Sequence, residues 1–359
     1  MRKIDRINSL DLIRFLAAFG VLLAHYSFSF TFQGAINSPF LVSISEFARY
    51  GYLGVHIFFV ISGFVILQSA LNSDASKFFV GRFVRLLPLF AICSGITICI
   101  RIWRGDEGLT LLTYLANLSF FPYRVAGQPY IDGVYWTLAY EIQFYFYVLL
   151  LLIIGNIRRH ILPLTWLWFA CCFLWALFPL LPLGGGRGIV NRISMADYAP
   201  LFIVGISMLL CLEKAKASRV LLLAGATMLA AWNETQHLTG NSAFDPRISA
   251  GAILLMPAIA IILIKKYPYL GGRCSLLLGA ASYPLYLLHQ EIGLTIAKTF
   301  HLGVGILGVG LGLLLFSVSL GLLDERIRPA LRRVMVEIIR FLTHHLSRIR
   351  PHTLKNEQS

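Results

Sequence analysis

Apolar residues run along this chain in long, nearly unbroken stretches, not at the two- or 3.6-residue spacing of half-buried soluble elements. Ten stretches approach the roughly 20 apolar residues that a membrane-crossing helix needs. They are 10–30, 51–71, 83–103, 134–155, 161–182, 197–213, 218–233, 248–265, 275–298 and 302–323. The expected fold class is therefore all-α, a polytopic membrane bundle of about ten transmembrane helices. The seventh stretch is short and reads as tilted or partly re-entrant, so nine or eleven spans also fit. The first is too long and too internally polar for a cleaved signal peptide. Residues 1–323 read as a transmembrane domain and 324–359 as a tail. In that tail Leu331, Val334, Ile338, Ile339 and Leu342 recur at helical spacing among arginines. This pattern predicts a basic amphipathic helix on an anionic cytoplasmic leaflet. Gly303, Gly305, Gly308, Gly310 and Gly312 predict a close helix-packing face in the last span.

Composition narrows the class further. The chain is 57% hydrophobic and 13% charged, with a mean hydropathy of +0.74, whereas soluble domains average about 25% charged. Soluble and disordered chains are excluded. The 31 Lys+Arg against 17 Asp+Glu leave a formal charge of +14, but no basic soluble face for nucleic acid accompanies it. With a cytoplasmic N-terminus, 22 of the 31 bases fall on that side and 8 on the other, with Arg14 inside the first span. The bias predicts an N-in, C-in topology. Six cysteines lie in or beside apolar runs without a CxxC pair, so they read as packing residues and no metal is expected. Asn117–Leu118–Ser119 and Asn233–Glu234–Thr235 fit a glycosylation triplet that arises often by chance. Gly184–Gly185–Gly186 reads as a flexible loop, not as a phosphate cradle.

Ionisable residues inside the spans carry the chemistry, because each costs a few kcal/mol unless it faces a cavity or a partner. Arg14 and His25 share the first span. Eleven residues make about three turns, which puts both side chains on one face about 16 Å apart. His56 and Glu141 lie near the outer level, about 8–10 Å from the boundary by helical rise, and His289 lies nearer the middle. Arg82 and Arg85 open the third span close to the depth of Arg14, where Asp11 offers neutralisation. Taken singly, the arginines fit topology and snorkelling, and a lone histidine fits a satisfied core. Taken together, a guanidinium ring at one level and an imidazole–carboxylate cluster at another suit a ligand with a polyanionic head and a deep reactive end.

Five segments, in order, resemble the acyltransferase-3 family of integral membrane O-acyltransferases. SLDLIRFLAAFGVLLAH carries the arginine, ten residues, histidine signature at Arg14 and His25. GVHIFFVISGFVI (54–66) is similar to the family's Gly-Val-x-x-Phe-Phe segment, and FVGRFVRLLP (79–88) to its arginine-rich one, with Gly81 where another arginine is common. WTLAYEIQFY (136–145) and SYPLYLLH (282–289) complete the set. The resemblance implies transfer of an acyl group, usually acetyl, from cytoplasmic acetyl-CoA or another short acyl-CoA to a hydroxyl of a cell-surface or lipid-linked carbohydrate. It implies an integral protein of the bacterial inner membrane.

On that footing Arg14, Arg82 and Arg85 are expected to bind the donor phosphates. His25 is expected to act as general base or transient acyl carrier, Glu141 to orient it, and His289 to assist. His56, Ser62, Trp136 and Tyr283 are the expected positions for holding acceptor or oxyanion. A secondary transporter and a non-catalytic subunit of a polysaccharide assembly complex are the rival readings. No Gly/Pro-broken pair of matching halves supports the transporter.

Overall fold

The computed structural model describes residues 7–35, 38–177, 187–300 and 305–349, all of them helix or connecting loop without a β-strand. Ten long helices correspond one for one to the apolar stretches. They are α1 (Asn8–Phe32), α2 (Gly54–Ala70), α3 (Ala75–Trp103), α4 (Trp136–Ile154), α5 (Ile157–Leu177), α6 (Ala199–Glu213), α7 (Ala217–Leu238), α8 (Pro246–Lys266), α9 (Gly272–Phe300) and α10 (Ile306–Ile349). Eight helical segments are long and apolar enough to cross a membrane. The two long helices not among them are α7 and α9, which carry the polar runs Asn233–Glu234 and His289–Gln290–Glu291.

The core is built around α6, whose residues Ala199 to Leu210 are all buried. It packs on α2 and α7, while α1, α2 and α9 form a second trio, flanked by α3 and α4 and backed by α10. The α2–α6 crossing is backbone against backbone. A Cβ on Gly63 would lie 2.2 Å from the Phe202 carbonyl oxygen, and one on Gly205 would lie 2.0 Å from that of Val60. Only glycine permits this approach in an apolar solvent, where helices associate by close packing.

Two boundaries and one packing face differ from the sequence expectation. α3 begins eight residues before the apolar run, because the Asp74 side chain accepts from the Lys77 N–H at 2.8 Å and caps it. Arg82 and Arg85 therefore lie two to three turns inside the helix and do not open it. α10 continues unbroken from the last span to Ile349. The expected glycine face on α10 is sparser than predicted. Gly308 and Gly312 meet open space, Gly310 lies against the Tyr26 ring, and the close contact falls eleven residues on at Gly321. There a Cβ would lie 2.6 Å from the Ala280 carbonyl oxygen, the carbonyl that Pro284 leaves without its helical N–H partner. Gly303 and Gly184–Gly186 lie outside the described residues.

Candidate active site

The two ends of the Arg14–His25 face meet different partners. α1 changes register at Ala24–Ser29, a π-helical turn in which the Phe30 N–H bonds the His25 carbonyl. Such turns are costly, and they recur at functional sites. The turn sets His25 against α9, where His289 is fully buried. His25 Nδ1 and His289 Nε2 are 3.1 Å apart, with the rings edge to face.

Their tautomers follow from the neighbouring carbonyls. His289 Nδ1 lies 2.8 Å from the Tyr286 oxygen and 3.2 Å from that of Leu285, so this nitrogen carries the proton and donates. In the neutral ring Nε2 is then an acceptor, and His25 Nδ1–H, which also lies 3.0 Å from the Val21 oxygen, is its donor. The remaining His25 nitrogen, Nε2, keeps a lone pair. The pair is directional, with a buried imidazole holding a half-buried one in a single tautomer, the arrangement a general base requires.

Three turns away, Arg14 lines a cavity of ≈ 40 Å³ with Ser62, Glu141, Ser282, Tyr283 and Tyr286. It is exposed to the charges of Arg85, Glu141 and Asp11. Glu141 Oε1 accepts from Tyr145 at 2.5 Å and from Ser62 at 3.3 Å. Arg82 lies over the Tyr145 and Phe78 rings at 5.8 and 5.6 Å. Arg14, Arg82 and Arg85 thus gather three guanidiniums near two carboxylates, Glu141 and Asp11, which leaves an excess of positive charge suited to a polyanion. Between the cavity and the imidazoles stands Tyr286, whose ring is 5.7 Å from that of His289 and whose hydroxyl pairs with Thr137 at 3.0 Å.

The side chain that meets His25 is thus His289, and Glu141 is placed with Arg14. The reason is its helical neighbourhood: one turn beyond it, Tyr145 ties its carboxylate toward the arginine level. His56 also stands apart. Its Nε2 donates to Glu234 Oε2 at 2.9 Å, and Tyr52 donates to the other oxygen at 2.5 Å. Trp136 packs against Tyr140 and Tyr198 and lines a different cavity with Tyr123, Tyr130, Arg124 and Arg192. Ser62 and Tyr283 line the Arg14 cavity.

Glu234, Tyr286 and Tyr145 were not expected. Glu234 escaped because the apolar window of the seventh stretch ends at 233, whereas α7 continues to Leu238. Tyr145 and Tyr286 lie within the resembling segments, and their polar ends become visible only when the helices meet. Asn117, of the other glycosylation triplet, is buried. Its amide bonds the Thr113 and Pro129 carbonyls at 2.8 and 2.9 Å. No group of three or more His, Cys, Asp or Glu fit to hold a metal occurs among the described residues.

Comparison with known proteins gives the family. A family model described as "Acyltransferase domain" matches residues 7–323. The chain is 29% identical over 160 residues to Nodulation protein 10 of Rhizobium leguminosarum bv. viciae, covering 38% of this chain and 42% of that one. It is 27% identical over 160 residues to Peptidoglycan O-acetyltransferase OatA of Listeria monocytogenes, covering 39% of this chain and 23% of that one. The chain thus spans less than half the length of these relatives, and no solved structure matches it. With the family model covering most of its length, the chain belongs to the acyltransferase-3 family of integral membrane acyltransferases.

Proposed function

We propose that the protein transfers an acyl group, acetyl in the first instance, from a cytoplasmic acyl-CoA to a hydroxyl of a cell-surface or lipid-linked carbohydrate in the bacterial inner membrane. The observation that carries this reading is the pairing, on one face of α1, of an arginine cluster with a directed imidazole pair about 16 Å away by helical rise. Arg14, Arg82 and Arg85 hold the donor's phosphates, and the pantetheine arm runs along α1 past Glu141, Ser62 and Tyr286.

His25 Nε2 takes the proton of the acceptor hydroxyl as its oxygen attacks the thioester carbonyl. The C–S bond breaks, the CoA sulfur leaves as thiolate, and the proton returns to it from His25. His289 keeps the His25 lone pair aimed throughout and spreads the imidazolium charge toward the Tyr286 carbonyl. An acyl-His25 intermediate uses the same lone pair as nucleophile. The hydroxyls of Ser62 and Tyr283, which line the Arg14 cavity, face the donor arm, and His56, with Trp136 packed behind Tyr198, is the candidate to hold the acceptor.

The test uses purified protein, labelled acetyl-CoA and a total glycan extract. His25→Ala should abolish ester formation while leaving acetyl-CoA affinity within about twofold, since it removes proton transfer and not phosphate contacts. A variant that still transfers removes His25 from the chemistry. Acid quench during a single turnover followed by mass spectrometry separates the two routes, an acetyl adduct on His25 marking the covalent one. Wild-type protein that binds acetyl-CoA but never turns it over favours a non-catalytic subunit.

A further inference from the structure

A second polar cavity opens at the end of the bundle formed by the N-terminal ends of α2 and α6 and the C-terminal ends of α5 and α7. Its volume is ≈ 560 Å³, within the roughly 300–1,000 Å³ of small-molecule sites. Trp175, Trp232 and Tyr198 contribute aromatic faces, and His56, Glu234 and Asp197 contribute polar groups. Tyr198 packs at 5.4 Å against Phe59, which lines the Arg14 cavity, so the wall between the two cavities is two rings thick.

The wall of this site is held in place. Met195 takes a left-handed backbone (φ 55°), a conformation that persists only where the surroundings impose it. Trp168 donates to the Ser194 carbonyl at 2.6 Å. Asn233 donates to that of Ala196 at 2.9 Å, and Asn191 grips both the side chain and the N–H of Asp197. Tyr198 follows from this turn directly.

The polar groups divide into satisfied and unsatisfied ones. Glu234 is 4% exposed and accepts from His56 and Tyr52. The Tyr52 proton being committed there, the Ser249 hydroxyl donates to the Tyr52 oxygen at 2.8 Å. Both carboxylates in the cavity are therefore already met by protein donors. His56 is 5% exposed, and its Nδ1 is buried without a hydrogen-bond partner. Since Nε2–H is spent on Glu234, Nδ1 of the neutral ring is a bare acceptor that a ligand O–H would satisfy.

We propose that this cavity is the acceptor-sugar subsite: an uncharged, hydroxyl-rich pyranose stacks its C–H faces on Trp175, Trp232 and Tyr198 and donates one hydroxyl to His56 Nδ1, the tautomer being fixed by Glu234. The carboxylates repel a polyanionic sugar, and they are too fully engaged to select a cation. Only the word acceptor rests on the acyl-transfer reading; the sugar subsite does not.

Protein reconstituted in nanodiscs is titrated with cellotetraose, chitotetraose and mannotetraose, and with tetragalacturonate and tetramethylammonium as the anionic and cationic comparisons, following tryptophan fluorescence. At least one neutral tetramer should give a saturable change, with neither charged probe binding as tightly. His56→Gln preserves the bond to Glu234 while deleting the Nδ1 acceptor and should weaken that binding about 5- to 10-fold, as the loss of a buried hydrogen bond does. Trp232→Ala, at a half-exposed ring, should weaken it by a similar factor. Acetyl-CoA affinity should be unchanged in both. Tighter binding of tetragalacturonate would move the sugar to the cavity of Arg124 and Arg192 and overturn the assignment. So would tighter binding of the ammonium, no saturable neutral tetramer, or variants with wild-type affinity. Sugar binding without acyl transfer would reject the acyltransferase reading and leave the subsite standing.

Discussion

His289 Nδ1 faces two backbone carbonyls and His25 Nδ1 faces a third, so proton positions in the pair are dictated by groups that cannot titrate. His289→Ala should lower turnover by about 10²-fold, the low end of what proton transfer contributes, with the KM for acetyl-CoA nearly unchanged. Steady-state kinetics with varied donor tests this, and a rise in donor KM at constant turnover would refute it. At the other end of the face, Arg14→Ala and Arg85→Ala should each raise the acetyl-CoA dissociation constant about 10- to 100-fold, as the loss of a charge-assisted contact does. Arg85→Lys should recover part of it in calorimetric titration. Arg14 and His25 were legible as partners because one helix carries both and its geometry is known in advance. Glu141 was legible as a buried charge but not in its allegiance, which Tyr145 and Ser62 decide from two helices. Glu234 was legible only as a letter beside an apolar run, since its value comes from His56 and Tyr52, more than 170 positions away in sequence.

Apolar runs mark the existence and order of the helices but not their ends, which capping and local polarity determine. The Asp74 cap draws Arg82 and Arg85 inside α3, and the tail joins α10 without a break, because from Leu322 to Ile349 only Pro329 among glycines and prolines opposes helix. Glycine contacts are similarly unreadable from composition. Gly63 and Gly205 sit at the crossing, whereas the conspicuous glycines of α10 are partly idle. Gly205→Ala should lower the thermal unfolding midpoint in detergent, the overpacking costing about 1–3 kcal/mol, while Gly312→Ala should leave it unchanged. The loop after α3 carries its own titration. Hydrogen bonds from Arg104, then from Arg101, hold the Asp106 carboxyl below the usual carboxylate range. Its contribution to stability is complete above the ordinary carboxylate pKa and is lost as pH falls through the lower folded value. Asp106→Asn should therefore remove part of the fall in unfolding midpoint below about pH 4, measured by scanning fluorimetry from pH 6 to 3.

Across the molecule, the excess of bases on one side predicts that loops alternate between compartments. An impermeant thiol reagent should label Glu107→Cys in intact cells, and Lys216→Cys only after permeabilisation, both in a background lacking the native cysteines. The reverse pattern would invert the topology and with it the donor side. Whichever way the bundle faces, a cavity around Arg14 and one around His56 lie apart across a layer two rings thick, Phe59 on Tyr198, with Phe58 on Tyr286 beside it. The ≈ 40 Å³ around Arg14 holds about three water molecules at the usual ~10–15 Å³ each. Hollows separated by so little make an electrical weak point in any membrane that carries a voltage. The ring layer is thus also an insulator between the two hollows.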